Sequence, residues 1–564
     1  MKTVLIALIL CCQLALAMAA NIPLMPVRDL RPGMLGVGKT VISGDTIEEF
    51  NVEILGITGN EATGYSIFVR LYGDLIEKTG GVAQGMSGSP VFVDGRLVGA
   101  VAYGKSFNDP HYCFLTPIGK MLRLLDEPQQ QPADWLPKGT ALMAGGFTDY
   151  GLEYLQDKLS AFGLDVVAAG GAGKSSSKVL EPGSSIAASL MQGDMTLGAL
   201  GTVTWADDEG NILAFGHSFM QRGSCDFFMN KVWVLGIVPN LQSGYKVADI
   251  GDAVGRFTQD RSSGIGGNTG SLPSSIPLFI TVSDSSRGAS ESVRMQIADD
   301  EQLVPSIVDA AVVSAVSKTV DRNGGGTAKM SFTITGEDSK KQLLTIKRDN
   351  MFYSSSSLLK SLDAELTEAL NILTQNKFEA VDIHNITVDA EVSSIPQVAE
   401  VVSAGVPKRA VKPGEKVNLA VKLKPYRGEE FLKEIYFVVP KDHPGGKLPL
   451  NVRGGSSMAW VLNLLRKQQE EGLPAQKKNT GRTLNDFIKA FNNADKNSEL
   501  IVDISIGPAM SQAAAASAAS AEKNDAGLMG MLQGSPYKQK FPFDFIIDGE
   551  ADIVLTVEKE EKEQ

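Results

Sequence analysis

Gly80-Gly81-Val82-Ala83-Gln84-Gly85-Met86-Ser87-Gly88-Ser89-Pro90 is the stretch from which the rest of the chain can be read. Its second half has the form Gly-x-Ser-Gly-x-Pro. Such a loop suits a serine hydroxyl that attacks a carbonyl. The oxygen that gains charge in that step needs hydrogen-bond donors already in place. A glycine ahead of the serine frees the backbone to turn two main-chain N–H groups toward one point. Here those groups belong to Gly85 and Ser87. The residues that follow predict a hairpin. Pro90-Val91-Phe92-Val93 and Leu97-Val98-Gly99-Ala100-Val101-Ala102 read as strands, with Asp94-Gly95-Arg96 as the turn. A Gly/Ser-rich turn ahead of a hairpin is also ordinary in a β protein, so the loop needs its context.

That context is long. Phe50-Asn51-Val52-Glu53-Ile54-Leu55, Ile76 to Pro90, Gly95-Arg96-Leu97-Val98-Gly99-Ala100-Val101 and Asn108-Asp109-Pro110 together resemble the SpoIVB family of sporulation serine peptidases. A second segment, Gly201-Thr202-Val203-Thr204 followed by Phe215-Gly216-His217, is similar to the part of those peptidases that carries the general base. Gly255 to Arg261 and Gly264-Ile265-Gly266-Gly267 look like its continuation. Taken alone, His217 would be an ordinary strand-end histidine. The other three histidines differ in setting: His111 and His443 adjoin prolines, and His384 lies in a polar strand-like run.

The resemblance implies a mainly β chain with a trypsin-like double β-barrel, followed by β-rich accessory domains with a few helices. It implies Ser87 as nucleophile, His217 as general base, and the Gly85 and Ser87 amides as oxyanion hole. Two features depart from the family. Its histidine segment precedes its serine segment, whereas here Ser87 comes first, so the half order is swapped as in a circular permutation. The PDZ module of SpoIVB peptidases is not legible either. Chain order does not fix the geometry of a site built between two barrels. For the acidic member, ungapped alignment puts Tyr72 at the family's position, with Asp74 two residues on. Asp260, in the histidine half, is the other candidate. Each reads equally as a surface or turn carboxylate.

Composition bounds the remaining classes. The chain has 564 residues, 58 of them Gly, and a net charge of −12. Its Lys and Arg are scattered, so no nucleic-acid footprint is expected. Gly170-Gly171-Ala172-Gly173-Lys174-Ser175 imitates a phosphate loop, but Ala168 stands where that pattern needs glycine, so no nucleotide is expected. There is no His-Glu-x-x-His and no paired Cys-x-x-Cys, so neither a metal nor a cofactor is expected. Lys2, the apolar run Val4 to Leu16, and Ala17-Met18-Ala19 read as a signal peptide over 1–19. Leu10 before Cys11 is unlike a lipoprotein signal. No later run is long and apolar enough to span a bilayer, so export to periplasm or medium is expected. Cleavage would leave Cys113 and Cys225, which read either as a disulfide or as two small buried residues.

The expected organisation runs as follows. The serine-bearing half occupies 20–127, an α/β insertion 138–178, and the histidine-bearing half 179–300. An α+β region follows at 301–397, then a β-sandwich-like module at 398–455 and a helical/β region at 456–509. A low-complexity linker (510–535) and a terminal strand with an acidic tail (536–564) close the chain. Amphipathic helices are expected at Tyr150–Phe162, Ser357–Leu373, Met458–Gln469 and Leu484–Phe491. The whole reads as an exported serine endopeptidase acting on protein or peptide substrates, itself included. The alternative is an inactive envelope scaffold or binding protein that keeps the peptidase fold. The C-terminal β-rich region would suit an envelope protein partner.

Overall fold

The computed structural model describes residues 22–62, 64–103, 109–126, 141–170, 174–239, 244–362, 364–455, 483–504 and 537–558. The expected signal peptide, the helix at 458–469, the low-complexity linker and the last acidic residues lie outside them. Two compact units form, one from 1–277 with 294–311, the other from 278–293 with 312–564.

The first unit opens with β1 (Leu35–Val41), β2 (Ile47–Asn60), β3 (Gly64–Tyr72), β4 (Pro90–Val93), β5 (Arg96–Tyr103) and β6 (Tyr112–Pro117). Their apolar residues alternate. Phe50, Val52 and Ile54 on β2 and Ile67, Val69 and Leu71 on β3 are buried. Strands with one apolar face must cover it. These do so by closing into a barrel in the order β1-β2-β3-β6-β5-β4, around a core that includes Val91, Val101, Cys113 and Leu115. The expected hairpin joins β4 to β5. Asp94 (φ 49°) and Gly95 (φ 72°) supply the left-handed pair that a two-residue turn requires. A short helix, α1 (Asp74–Thr79), lies between β3 and β4, and α2 (Ile118–Leu122) follows β6.

After β7 (Leu142–Gly145), α3 (Asp149–Ser160) and β8 (Val166–Ala168), six more strands follow. They are β9 (Ser185–Gly193), β10 (Thr196–Ala206), β11 (Asn211–Ala214), β12 (Gly223–Val238), β13 (Tyr245–Arg261) and β14 (Gly264–Thr269). β9 pairs with β10, β10 with β11, β11 with β14, β14 with β13, β13 with β12, and β12 returns to β9. That circuit is a second barrel. Counted from its own first strand, each barrel runs first, second, third, sixth, fifth, fourth. Two barrels of one topology make the first unit a mainly β, trypsin-like double barrel. The stretch expected as an α/β insertion adds β7 and β8 beside β10.

In the second unit, strands Gly326–Glu337, Leu343–Ser354 and Asp382–Ser393 form a sheet. The helix α4 (Val304–Val320), which crosses the unit boundary along the chain, was not expected from the sequence. The helix expected at Ser357–Leu373 is split into a turn of 3₁₀ helix, Leu359–Ser361, and α5 (Ala364–Thr374). The sandwich does not end at residue 455. Its core joins Leu419, Val421 and Leu450 to Leu500, Val502, Ile547 and Leu555, so strands from beyond residue 498 complete it. α6 (Leu484–Asn492) starts at a capping box made by Thr483 and Asp486. Among the described residues, no helix is long and apolar enough to cross a membrane.

Candidate active site

Ser87 lies between β3 and β4, the third and fourth strands of the first barrel. His217 lies between β11 and β12, the third and fourth strands of the second. The two loops therefore occupy the same position in two copies of one topology.

Each loop is held by the other barrel. The Thr202 N–H donates to the Ser87 carbonyl at 2.8 Å. Thr202 Oγ1 donates to the Gly85 carbonyl at 3.0 Å, and Thr204 Oγ1 to the Gly88 carbonyl at 2.8 Å. Both threonines are buried on β10. In return, Thr116 Oγ1 on β6 donates to the Gly216 carbonyl at 2.5 Å. Gly88 is at φ +93°, and a Cβ there would stand 2.0 Å from the Thr202 carbonyl oxygen and 2.5 Å from the Phe215 nitrogen. Gly216 is at φ +69°, where a Cβ would stand 2.9 Å from the Val101 carbonyl oxygen. That same oxygen accepts the Gly88 N–H at 2.7 Å. The residue after Ser87 and the residue before His217 thus meet on one stretch of β5 and β10. Only glycine allows main chains to approach so closely at positive φ.

Inside the serine loop, the Met86 N–H donates to the Ala83 carbonyl at 3.0 Å and the Ser89 N–H to the Met86 carbonyl at 2.9 Å. Ser89 Oγ also donates to the Met86 carbonyl, at 2.6 Å, so its hydroxyl is spent on the turn. The Gly85 and Ser87 N–H groups, expected to form the oxyanion hole, meet no acceptor among the described residues. Gly85 is at φ +90°.

His217 is half-buried, and its Nδ1 lies 2.7 Å from the Ser218 carbonyl oxygen. A carbonyl only accepts, so Nδ1 carries the proton and Nε2 is the basic nitrogen of the neutral ring. Burial lowers the imidazole pKa below its usual value, and the Ser218 carbonyl offsets part of that effect. Asp260, at the end of β13, is fully buried under the same loop. Its carboxylate accepts the N–H groups of Phe219 (2.7 Å), Met220 (2.7 Å) and Arg222 (3.1 Å). Burial raises its pKa, and those three donors pull it back down. The Arg222 side chain reaches on to Asp300 at 3.0 Å and Gln302 at 2.7 Å. Asp74 stands exposed on the first turn of α1.

The Cys113–Cys225 bond is not formed. Cys113 points into the first barrel's core, where burial pushes its thiol up to about 12. Cys225 Sγ instead faces the Phe257 carbonyl across β12 and β13 at 3.4 Å. Side chains committed to separate barrels cannot meet. In the second unit, Glu337, Asp382 and His384 bring ligand-type atoms within 4.8 Å of one another, but Lys341 already pairs with Glu337. Sequence reasoning passed over Thr116, Thr202 and Thr204 as holders of the loops, because threonine in a strand needs no further explanation.

Residues 18–122 match the family model described as SpoIVB peptidase S55. No curated protein matches the chain, and no solved structure does. The matched stretch contains the entire first barrel and Ser87, while His217 and Asp260 fall beyond it. Residues 18–122, with the Gly-Met-Ser-Gly loop and the barrel that carries it, are thus similar to the SpoIVB peptidase family.

Proposed function

We propose that the chain is an exported serine endopeptidase whose site is assembled from Ser87 and His217. The observation that carries this reading is the mutual bracing of the two loops, through Thr202 and Thr204 on one side and Thr116 on the other. Bracing of that kind holds a nucleophile and a base in fixed relation, which is what proximity catalysis needs. Ser87 Oγ attacks the scissile carbonyl of a protein or peptide. His217 Nε2 takes the hydroxyl proton and returns it to the leaving amine. The Gly85 and Ser87 amides receive the charge that develops on the carbonyl oxygen. Asp260 acts as a positioning residue. Its three main-chain bonds hold the loop that aims the imidazole, so the acid works through the loop backbone. The swapped order of the halves is part of the same reading, since a site between two barrels is indifferent to which is made first.

Export follows from the signal features over 1–19, with the mature chain starting at Ala20. The test of the catalytic reading is fluorophosphonate labelling of folded, mature protein. Labelling is expected, with Ser87→Ala abolishing it and Ser89→Ala largely sparing it. A folded protein that never labels, with Ser87→Ala behaving like wild type on peptides, would leave an envelope scaffold as the function of this fold.

A further inference from the structure

Lys246, on β13, has no part in the chemistry above, yet it is 1% exposed and lies directly beneath the serine loop. Its N–H donates to the Gln84 carbonyl at 3.0 Å, and the Gln84 N–H donates to the Gly244 carbonyl at 2.7 Å. A Cβ built on Gly85 would meet Lys246 Cδ at 2.9 Å, Cγ at 3.1 Å and Cβ at 3.2 Å. The lysine stem therefore fills the space under Gly85. Its Nζ donates to Thr40 Oγ1 at 3.1 Å and to Ser185 Oγ at 3.3 Å. Thr40 belongs to β1 of the first barrel and Ser185 to β9 of the second. One side chain touches the serine loop and both barrels.

The surroundings suit an amine and not an ammonium. Among the described residues, Lys246 has no carboxylate partner. Residues 80–90 carry no charged side chain, and neither do β9 and β10. On β1, Lys39 is engaged with Glu49 at 3.6 Å and sits on the face opposite Thr40, whose register partner on β2, Glu48, is exposed. On β13 itself, Tyr245 and Asp249 lie at odd spacings from Lys246 and so face the other side, while Asp252, six residues on, is exposed. On β12, Ile237 stands opposite Lys246, with Asp226 and Lys231 further along. An ammonium has three N–H donors, and two hydroxyls receive only two. Burial brings the Lys246 pKa down to about 7.

We propose that Lys246 is a positioning residue for the serine loop, holding Gly85 in place as an uncharged amine and releasing it on protonation. The effect on acylation rests on the reading of Ser87 as nucleophile, while the hold on the loop does not. A buried ammonium without a counter-charge favours states in which the seam admits water. Acidification then frees Gly85, and with it one oxyanion donor, before His217 itself is protonated.

The test compares wild type with Lys246→Met, which keeps the stem and removes the titration. Replacing a buried charged group by an apolar one of similar size is commonly neutral or stabilising, so the variant is expected to fold. The unfolded lysine titrates near about 10.4, above its folded value, so the unfolded chain holds the extra proton between those values. Wild-type Tm should therefore rise relative to Lys246→Met from pH 7 to pH 10, and the difference should be flat at lower pH. Amide exchange at Gln84 to Ser87 should quicken in wild type, relative to the variant, as pH falls through 7. The fluorophosphonate rate should fall with two protons in wild type and with one in Lys246→Met. A Tm difference that stays flat from pH 7 to pH 10 overturns the proposal, as does loop exchange that is the same in both proteins. If Tm and exchange behave as stated but neither protein labels, the loop hold stands and the peptidase reading falls.

Discussion

Ser87 and His217 were legible as residues because each sits beside a glycine that marks an unusual backbone. What the linear order left open was the choice between Asp74 and Asp260 as the acidic candidate. Asp260 does its work through three main-chain donors, and no spacing rule announces such a contact. Asp260→Ala leaves the Phe219, Met220 and Arg222 N–H groups buried without their acceptor. Each orphaned group costs about 1–3 kcal/mol, so urea unfolding of the variant should show a loss of roughly 3 kcal/mol or more. Labelling should slow as well, because the histidine loop is no longer held. His217→Ala should slow acylation by on the order of 10⁴-fold or more, with little further loss when combined with Ser87→Ala. In Lys246→Met the surviving acid limb belongs to His217. Burial lowers that pKa, so the limb should lie below the ordinary imidazole value of about 6.5. A limb centred above that value would contradict the placement of the ring.

Among the elements, the clearest sequence signals were the short ones. The Asp94-Gly95 turn forms because only residues tolerant of positive φ fit there. α4 escaped notice for the opposite reason. Val304 to Val316 is buried at nearly every position, so the run has no polar face from which a helical period could be read. The loop between β3 and β4 gives a test at this scale. Gly88→Ala would force a Cβ to within 2.0 Å of the Thr202 carbonyl oxygen. The expected outcome is a protein that retains its β circular dichroism, loses several degrees of Tm and labels poorly, because the serine loop must lift from β10. Thr202→Val, which removes only the hydroxyl bond to Gly85, should cost about 1 kcal/mol in stability and slow labelling more gently.

At the scale of the whole molecule, each unit depends on groups brought from distant parts of the chain. In the second unit, Arg453 (2.9 Å), Lys538 (2.8 Å) and Lys540 (2.9 Å) converge on Asp495. Burial alone would raise that carboxyl, but the hydrogen bonds and charges of these three cations hold it well below the usual carboxylate range. A depressed folded pKa means stability that is present above the unfolded value near about 3.9 and is lost as pH falls further. Asp495→Asn should cost the sandwich about 3 kcal/mol at pH 7 and flatten its acid unfolding below about pH 4. An unchanged acid transition would remove Asp495 from that role. In the first unit, both thiols are raised by burial, so slow reaction of Cys113 and Cys225 with a thiol reagent is expected until the protein unfolds.

The sequence by itself determined the β class, the Gly-Met-Ser-Gly loop, the likeness of residues 18–122 to SpoIVB peptidases and the strand pattern of both halves. These rest on local rules: alternation every two residues, glycine where φ is positive, and the residues a turn demands. Tertiary structure decided the rest. Closure of two barrels with one strand order sets the serine and histidine loops at equivalent places. It separates Cys113 from Cys225 and turns Asp260 to main-chain donors. It also buries Lys246 beneath Gly85. None of these can be read from spacing, because each depends on which strands pair, and pairing is settled by how distant apolar faces cover one another.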